Sequence, residues 1–134
     1  MSLITGFIFL CLITSGIALA AIAPFHPGNI LFPIQYFSEQ QVLFIYIDPV
    51  NRTVFTLDLL EQRINDLSAN TGTKQELETL EYLNKAVDQA TTAISHVPQE
   101  QGDNIRKRLL DLTQQADEKL KSLIAMKSCE DRPR

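Results

Sequence analysis

Residues 73–97 read TKQELETLEYLNKAVDQATTAISHV, and their apolar side chains recur at alternating intervals of three and four residues. The repeating positions are Leu80, Leu83, Val87, Ala90, Ile94 and Val97. Spacings near 3.5 residues place such side chains on one narrow stripe of an α-helix. The stretch is therefore predicted to form an amphipathic helix that must bury its stripe against another element.

Helices of the same kind are predicted before and after this stretch. The earlier one begins at Asp48-Pro49, where Asp can cap the helix and Pro suits its first turn, and continues to about Ala69. Its apolar stripe consists of Leu57, Leu60, Ile64 and Leu67. The later helix is expected from about Asp103 to Lys127. Its stripe consists of Ile105, Leu109, Leu112, Ala116, Leu120 and Leu123.

The connections between the three helices are short. Asn70-Thr71-Gly72 should end the first helix, with Gly72 able to adopt the left-handed conformation. Thr73-Lys74-Gln75-Glu76 has the form of a capping box for the second helix. Pro98 and Gly102-Asp103-Asn104 predict the next break. Short connections favour an antiparallel bundle of three to four helices, whereas an oligomeric coiled coil is the alternative for such narrow stripes.

The front of the chain has a different composition. Residues 1–38 contain no Asp, Glu, Lys or Arg, and 26 of the 28 charged residues fall within residues 52–134. Leu3–Ala23 reads LITGFIFLCLITSGIALAAIA, which is 21 residues without a charge. As a helix it would rise roughly 32 Å, enough to cross a hydrocarbon core of about 30 Å. We interpret residues 1–24 as an uncleaved, single-pass transmembrane anchor.

Two alternatives to the anchor remain open. A cleavable signal peptide would use Leu3–Gly16 as its apolar region and be cut after Ala18-Leu19-Ala20, which would leave 114 residues. The length of the apolar stretch, and the lack of Lys or Arg ahead of it, favour the anchor. The other alternative is a buried core helix.

Residues 25–48 form an apolar junction that is rich in turn-forming and aromatic residues. The prolines and glycine between Pro24 and Pro33 would interrupt any helix that continued from the apolar stretch. The run Val42–Ile47 predicts either a strand or a buried helix. Aromatic side chains here suit the headgroup region of a bilayer, although they could also be core residues of the next domain. The candidate interaction residues, for a membrane or a partner protein, are Phe32, Tyr36, Phe37, Leu43, Phe44 and Tyr46.

The reactive side chains do not predict a catalytic or metal site. Two Cys and two His are too few for a closed zinc site. A net charge of −4 lacks the clustered Lys and Arg of a nucleic-acid-binding face. No phosphate-binding loop, nucleophile with a base or pair of carboxylates in a predicted cleft is present. We therefore expect a protein that is not an enzyme, with no cofactor, no nucleic acid and no small-molecule substrate.

Four smaller motifs have ordinary structural explanations. Arg106-Lys107-Arg108 could meet anionic lipid or an acidic patch on a partner, but chance placement is favoured. His96 at a helix end is expected to be a cap or a solvated side chain. Asn51-Arg52-Thr53 fits the glycan acceptor pattern, which occurs often by chance. Glu81 and Lys85 are placed for an ion pair along one helix.

The stretch His26–Ile34, HPGNILFPI, resembles a "Pro-Gly-x-x-Leu-aromatic-Pro-aliphatic" opening segment. Asp48-Pro49 followed by Leu57–Ile64, LDLLEQRI, resembles its continuation. Over residues 26–68 the chain is similar to an uncharacterised helical domain of bacterial envelope proteins. That domain typically follows a single transmembrane helix on the extracytoplasmic side, sometimes in proteins whose cytoplasmic part resembles an anti-sigma factor. The resemblance implies a helix over residues 34–47 and carries over no functional residues.

One departure from that pattern concerns the junction helix. The corresponding segment of the family is usually charged, whereas here Gln35 replaces a basic residue and Glu39 is the single charge before Asp48. Apolar residues between Tyr36 and Ile47 occupy more than one face, although a helix on a soluble bundle needs one apolar stripe. We therefore expect lipid headgroups or another subunit to cover this helix on a second side.

These features predict an all-α protein with an N-terminal transmembrane helix and a small antiparallel bundle. The predicted regions are an anchor over residues 1–24, an apolar junction with a short interfacial helix over 25–48, a helical bundle over 49–128 and a flexible tail over 129–134. The expected location is the cell membrane, with the C-terminal domain extracytoplasmic. The expected role is an accessory or scaffold subunit that contacts the lipid bilayer and other membrane-protein subunits. The alternative is a free or secreted envelope protein that acts as a sensor or binding module.

Overall fold

The computed structural model describes residues 25–130 together with Gly6. Within residues 25–130 the chain forms four α-helices and no strand: α1 (Phe32–Ile45), α2 (Pro49–Asn70), α3 (Glu76–Ile94) and α4 (Gln99–Glu130). The predicted all-helical class is therefore confirmed for this part of the chain. Apart from Gly6, the predicted anchor, Leu3–Ala23, lies outside the described residues, as do the last four residues of the predicted tail.

None of the helices between residues 25 and 130 combines the length and the apolar character that crossing a bilayer requires. The chain divides into two compact units, residues 1–45 and residues 46–134. The first unit contains α1, and the second contains α2, α3 and α4.

The second unit is a three-helix arrangement centred on α2. Helix α2 contacts both α3 and α4 more extensively than those two helices contact each other. Its buried stripe is the predicted one, Leu57, Leu60, Ile64 and Leu67. The core also contains Leu83, Ala86, Ala90, Val97, Ile105, Leu112, Ala116 and Leu123. The spacing in the sequence therefore identified the core-facing side of all three helices.

Two residues fix the ends of α2 as the sequence predicts. The Asp48 carboxylate accepts a hydrogen bond from the Asn51 backbone N–H at 2.9 Å, and Pro49 occupies the first turn. Gly72, just beyond the helix, has a φ of 74°, which a residue with a Cβ rarely adopts. The chain therefore turns back towards α3 within five residues, 71–75.

The predicted capping box at Thr73 is wrong. Helix α3 begins at Glu76, and the Thr73 hydroxyl donates to the Asn70 carbonyl at 2.7 Å. The Glu76 carboxylate accepts from the Gly72 N–H at 2.8 Å and pairs with Lys127 of α4 at 2.5 Å. Because both Glu76 oxygens are engaged in this way, the capping box does not form, and Glu76 instead joins the turn to the end of α4.

The predicted start of α4 is also wrong. The helix begins at Gln99 rather than at Asp103, and Gly102 lies inside it. The Gln101 N–H donates to the Pro98 carbonyl at 3.2 Å, so Pro98 leads into the first turn instead of separating the helices by a long loop. The end of the flexible Arg106 side chain covers the space that a Cβ at position 102 would occupy.

Helix α1 resolves the ambiguity over residues 34–47. The run that could have been a strand is helical to Ile45, in agreement with the prediction from the family resemblance. Before the helix, Gly28 has a φ of 91°, and the Asn29 N–H donates to the His26 carbonyl at 3.1 Å. A tight turn therefore separates α1 from the residues that precede it.

Candidate interaction surfaces

Helix α1 has one buried face. Phe32, Gln35, Glu39 and Leu43 are buried, and their spacings of three, four and four residues place them on the same side of the helix. Glu39 is the single charged residue of α1, so its ionisable group belongs to this buried side. We call these four residues the inner face of α1.

Hydrogen bonds between polar groups organise the inner face. The Gln35 side-chain oxygen accepts from the Phe25 backbone N–H at 2.6 Å, and the Gln35 amide donates to a Glu39 carboxylate oxygen at 2.7 Å. Burying an amide and a carboxylate is unfavourable unless they are hydrogen-bonded, and these contacts supply partners. They also tie the chain before the turn to the first half of α1 and so fix which side of the helix is buried.

The opposite side of α1 is apolar and exposed. We define the outer face of α1 as Ile34, Phe37, Phe44 and Ile45 of the helix together with Ile30 in the turn just before it, which are between 58% and 89% exposed. Within the helix, Gln41 lies on the same side, and positions 34, 37, 41 and 44 follow helical spacing. Scattered exposed apolar residues are normal, but a continuous row of this kind is a candidate surface for contact with lipid or another protein.

The structure separates the six predicted interaction residues into three groups. Phe32 and Leu43 are buried, and Tyr36 stacks on Phe32 with ring centroids 6.2 Å apart. Phe37 and Phe44 lie on the outer face. Tyr46 belongs to the second unit, where its ring is 5.5 Å from that of Phe55. Two of the six are therefore brought together on an exposed surface.

Sequence reasoning missed three members of the outer face, Ile30, Ile34 and Ile45. The signal was present, because positions 30, 34, 37, 41 and 44 repeat at intervals of four and three residues. A helical projection of residues 30–45 separates the two faces correctly.

A second candidate surface is a groove between α3 and α4. Its volume is about 550 Å³. The groove is mainly apolar and is lined by Leu77, Leu80, Glu81, Leu83, Asn84, Val87, Ala116 and Leu120. Leu77 is largely exposed at one end. A groove of this shape between two helices matches the way proteins receive the apolar stripe of a third helix.

The basic cluster 106–108 serves the fold. Arg108 donates to the carboxylates of Asp58, at 2.7 Å, and Glu61, at 2.8 Å, and so connects α4 with α2. Hydrogen bonds to Glu61 and to Asp58 raise the pKa of the Arg108 guanidinium above its ordinary value. Arg106 lies 3.7 Å from Asp103 on its own helix. These contacts engage Arg106 and Arg108 within the fold, whereas Lys107 is exposed.

The remaining motifs also have structural roles. The His96 ring lies 2.9 Å from the Thr92 carbonyl at the end of α3, which is a capping position. In the glycan acceptor pattern, Thr53 is fully buried, and its hydroxyl donates to the Pro49 carbonyl at 2.7 Å. Glu81 and Lys85 form the expected exposed ion pair at 2.7 Å.

Helix α2 contains a buried ion pair outside the apolar core. Arg63 and Asp66, three residues apart, are about 2% and 1% exposed and are joined by a hydrogen bond of 2.8 Å. Buried ion pairs contribute less to stability than their short distance suggests, because both charges lose their hydration. Removing one partner is far more costly, since it leaves the other charge buried and uncompensated. The pair therefore constrains which residues α2 can accept at these two positions.

The described part of the chain contains no cluster of His, Cys, Asp or Glu that could hold a metal ion. The comparisons with known proteins add no name: no family model, curated protein or solved structure matches the chain. The candidate surfaces among the described residues are the outer face of α1 and the groove between α3 and α4.

Proposed function

We propose that the protein is a non-enzymatic, single-pass membrane protein whose helical bundle acts as an accessory or scaffold subunit of a larger membrane complex. The observation that carries this proposal is the exposed, apolar outer face of α1. Such a surface in water is unfavourable by about 25 cal/mol per Å². Contact with a bilayer or with a membrane-embedded partner would remove it from water.

The sequence that precedes α1 supports the membrane location. Leu3–Ala23 is long enough and apolar enough to span a bilayer as a helix, and eight residues separate it from Phe32. The resemblance to an envelope domain adds the expected orientation, with residues 49–128 on the extracytoplasmic side. The net negative charge of the chain agrees with a domain that approaches other proteins rather than nucleic acid.

The groove between α3 and α4 supports the scaffold role. A partner helix that places an apolar stripe against Leu80 and Val87 would complete a four-helix arrangement with the bundle. The lining is mostly hydrocarbon and contains no catalytic set of side chains. Binding a helix is the activity that suits this lining best.

Gentle detergent extraction of the native protein, followed by size analysis and intact mass measurement, tests the proposal. We expect the full 15.1 kDa chain in the membrane fraction, together with co-migrating membrane subunits. A membrane-bound 15.1 kDa species without partners would contradict the scaffold role. A soluble species of 114 residues would favour the exported sensor or binding module, because it would show cleavage after Ala20.

A further inference from the structure

We infer that the outer face of α1 lies in the interfacial region of an uncharged, zwitterionic bilayer, with the helix axis along the membrane plane. This inference rests on the proposed anchor and names lipid, rather than a protein subunit, as what covers this face. Four properties of the described residues and of the chain that precedes them support it: shape, charge, polar chemistry and tether length.

The shape of the surface suits an interface. Helix α1 has 14 residues and is therefore about 21 Å long. The outer face runs along this length, and the buried inner face lies on the opposite side of the helix. A helix placed parallel to the membrane can immerse one such face by several ångströms while its other face remains against protein.

The charge distribution specifies the kind of lipid. The outer face carries no charged residue, and α1 contains no Lys or Arg at all. Interfacial helices that select anionic lipid do so with Lys and Arg on the polar side. Binding through α1 must therefore come from apolar side chains, with Phe37 and Phe44 as its largest contributors.

The polar groups on this side of α1 fit lipid better than a protein partner. The Ser38 hydroxyl donates to the Ile34 carbonyl at 2.9 Å, so it is satisfied inside the helix. Gln41 is the remaining exposed polar side chain among the outer-face residues. A specific protein interface surrounds its apolar centre with a polar rim that makes hydrogen bonds across it. The outer face offers one amide for that purpose, whereas lipid requires none.

Residues 24–31 connect the proposed anchor to α1 and hold α1 close to the membrane. Ala23 and Phe32 are nine residue steps apart, so even a fully extended chain would place α1 at most about 30 Å from the end of the anchor. The turn at His26–Asn29 shortens this reach. The interfacial layer of the bilayer therefore lies within reach of α1. Because α1 is attached to the proposed anchor, its binding to the membrane is an intramolecular equilibrium and does not require a search through solution.

Tryptophan fluorescence in vesicles tests this placement, because the chain contains no Trp of its own. The full chain would be reconstituted in phosphatidylcholine vesicles as three single-Trp variants. Phe37→Trp probes the outer face. Leu110→Trp is the matched control on α4, because Leu110 is 60% exposed and Phe37 is 64% exposed. Leu12→Trp probes the middle of the proposed anchor.

We expect phosphatidylcholine brominated near the headgroup to quench Phe37→Trp at least about threefold more than Leu110→Trp, with a blue-shifted emission for Phe37→Trp. Lipid brominated near the bilayer centre should quench Leu12→Trp. Adding anionic lipid should leave the quenching of Phe37→Trp unchanged within about twofold, because α1 has no cation to attract it.

The outcomes separate this inference from the proposed function. If Leu12→Trp is quenched while Phe37→Trp emits as in water, the anchor stands and the interfacial placement is overturned. If Phe37→Trp is blue-shifted but not quenched by brominated lipid, protein covers the outer face and the inference is also overturned. If quenching of Phe37→Trp required anionic lipid, the inference that α1 binds an uncharged bilayer through apolar side chains would be contradicted. If Leu12→Trp is not quenched, the anchor itself fails and the inference fails with it.

Discussion

The Glu76 carboxylate connects three parts of the bundle, and replacing it with glutamine should destabilise the fold measurably. Its oxygens accept from the Gly72 N–H at 2.8 Å and pair with the Lys127 ammonium at 2.5 Å. Glu76 is buried, whereas the Lys127 side chain is 63% exposed. Glu76→Gln keeps the shape of the side chain and an oxygen for Gly72, but it removes the charge.

The expected loss follows from these contacts. A hydrogen bond to a charged group contributes about 1.5–3 kcal/mol, but a pair with one exposed partner is screened by water and contributes less. We therefore expect Glu76→Gln to lower the free energy of unfolding by about 1 kcal/mol at neutral pH. Urea unfolding of the full chain in a mild detergent, followed by far-ultraviolet circular dichroism, would measure the difference.

The direction in which the stabilisation by Glu76 changes with pH follows from the shift in its pKa. The hydrogen bond from Lys127, and then that from the Gly72 N–H, lower the pKa of Glu76 below its ordinary value of 4.5. The folded state therefore binds this proton less tightly than the unfolded state does, and the stabilisation by Glu76 is fully present above pH 4.5. It disappears as the pH falls through the lower pKa of the folded state. The wild type and Glu76→Gln should converge in stability there.

Glu78→Gln is the matched control. Glu78 is exposed and also lies in the first turn of α3, so both substitutions remove a favourable interaction with the helix dipole. We expect Glu78→Gln to cost no more than about 0.5 kcal/mol. Equal losses of unfolding free energy for the two variants would refute the argument, because they would show that Glu76 stabilises the fold only through its interaction with the helix dipole. A difference between wild type and Glu76→Gln that persists at pH 2 would refute it as well.

The remaining predictions use the same unfolding assay. Leu60→Ala should lower the free energy of unfolding by about 3 kcal/mol, since Leu60 is fully buried in the core; a loss below about 1 kcal/mol would contradict that packing. Asp48→Ala should cost about 1 kcal/mol because it removes the α2 cap, whereas Thr73→Ala should cost less than about 0.5 kcal/mol because Thr73 is not the α3 cap. Arg108→Gln should cost about 0.5–1 kcal/mol, with the loss shrinking in high salt, because the link to α2 is exposed.

The sequence predicted the core of the second unit because periodicity reports burial directly. Leu57, Leu60, Ile64 and Leu67 lie at spacings that only a helix can place on one side, and all four are buried. Asp48-Pro49 fixed the start of α2 for an equally local reason, since a cap and a proline act within one turn. Information of this kind is contained in a short window and does not depend on distant contacts.

The errors came from residues whose role depends on distant partners. Gly102 is the exception: it looked like a break but lies inside α4, and the Arg106 side chain that covers it is four residues away on the same helix. Glu76 looked like half of a capping box, but Lys127, fifty-one residues later, holds it elsewhere. The link from Arg108 to Asp58 and Glu61 was invisible for the same reason. A local pattern identifies which side chains can form a contact, and only the packing decides which contact forms.

The candidate surface was predicted in part because both sides of α1 are apolar. When polar residues occupy one side of a helix, periodicity distinguishes the buried side from the exposed side. In α1, however, Phe32 and Phe37 are equally apolar, yet Phe32 is buried and Phe37 is exposed. The feature that separates them is the hydrogen-bonded pair of Gln35 and Glu39, which accompanies Phe32 on the inner face. In an apolar helix the buried side can thus be the one that carries the polar groups, since those groups need protein partners. The side without them is the one that lipid can cover at the lowest cost in lost hydrogen bonds.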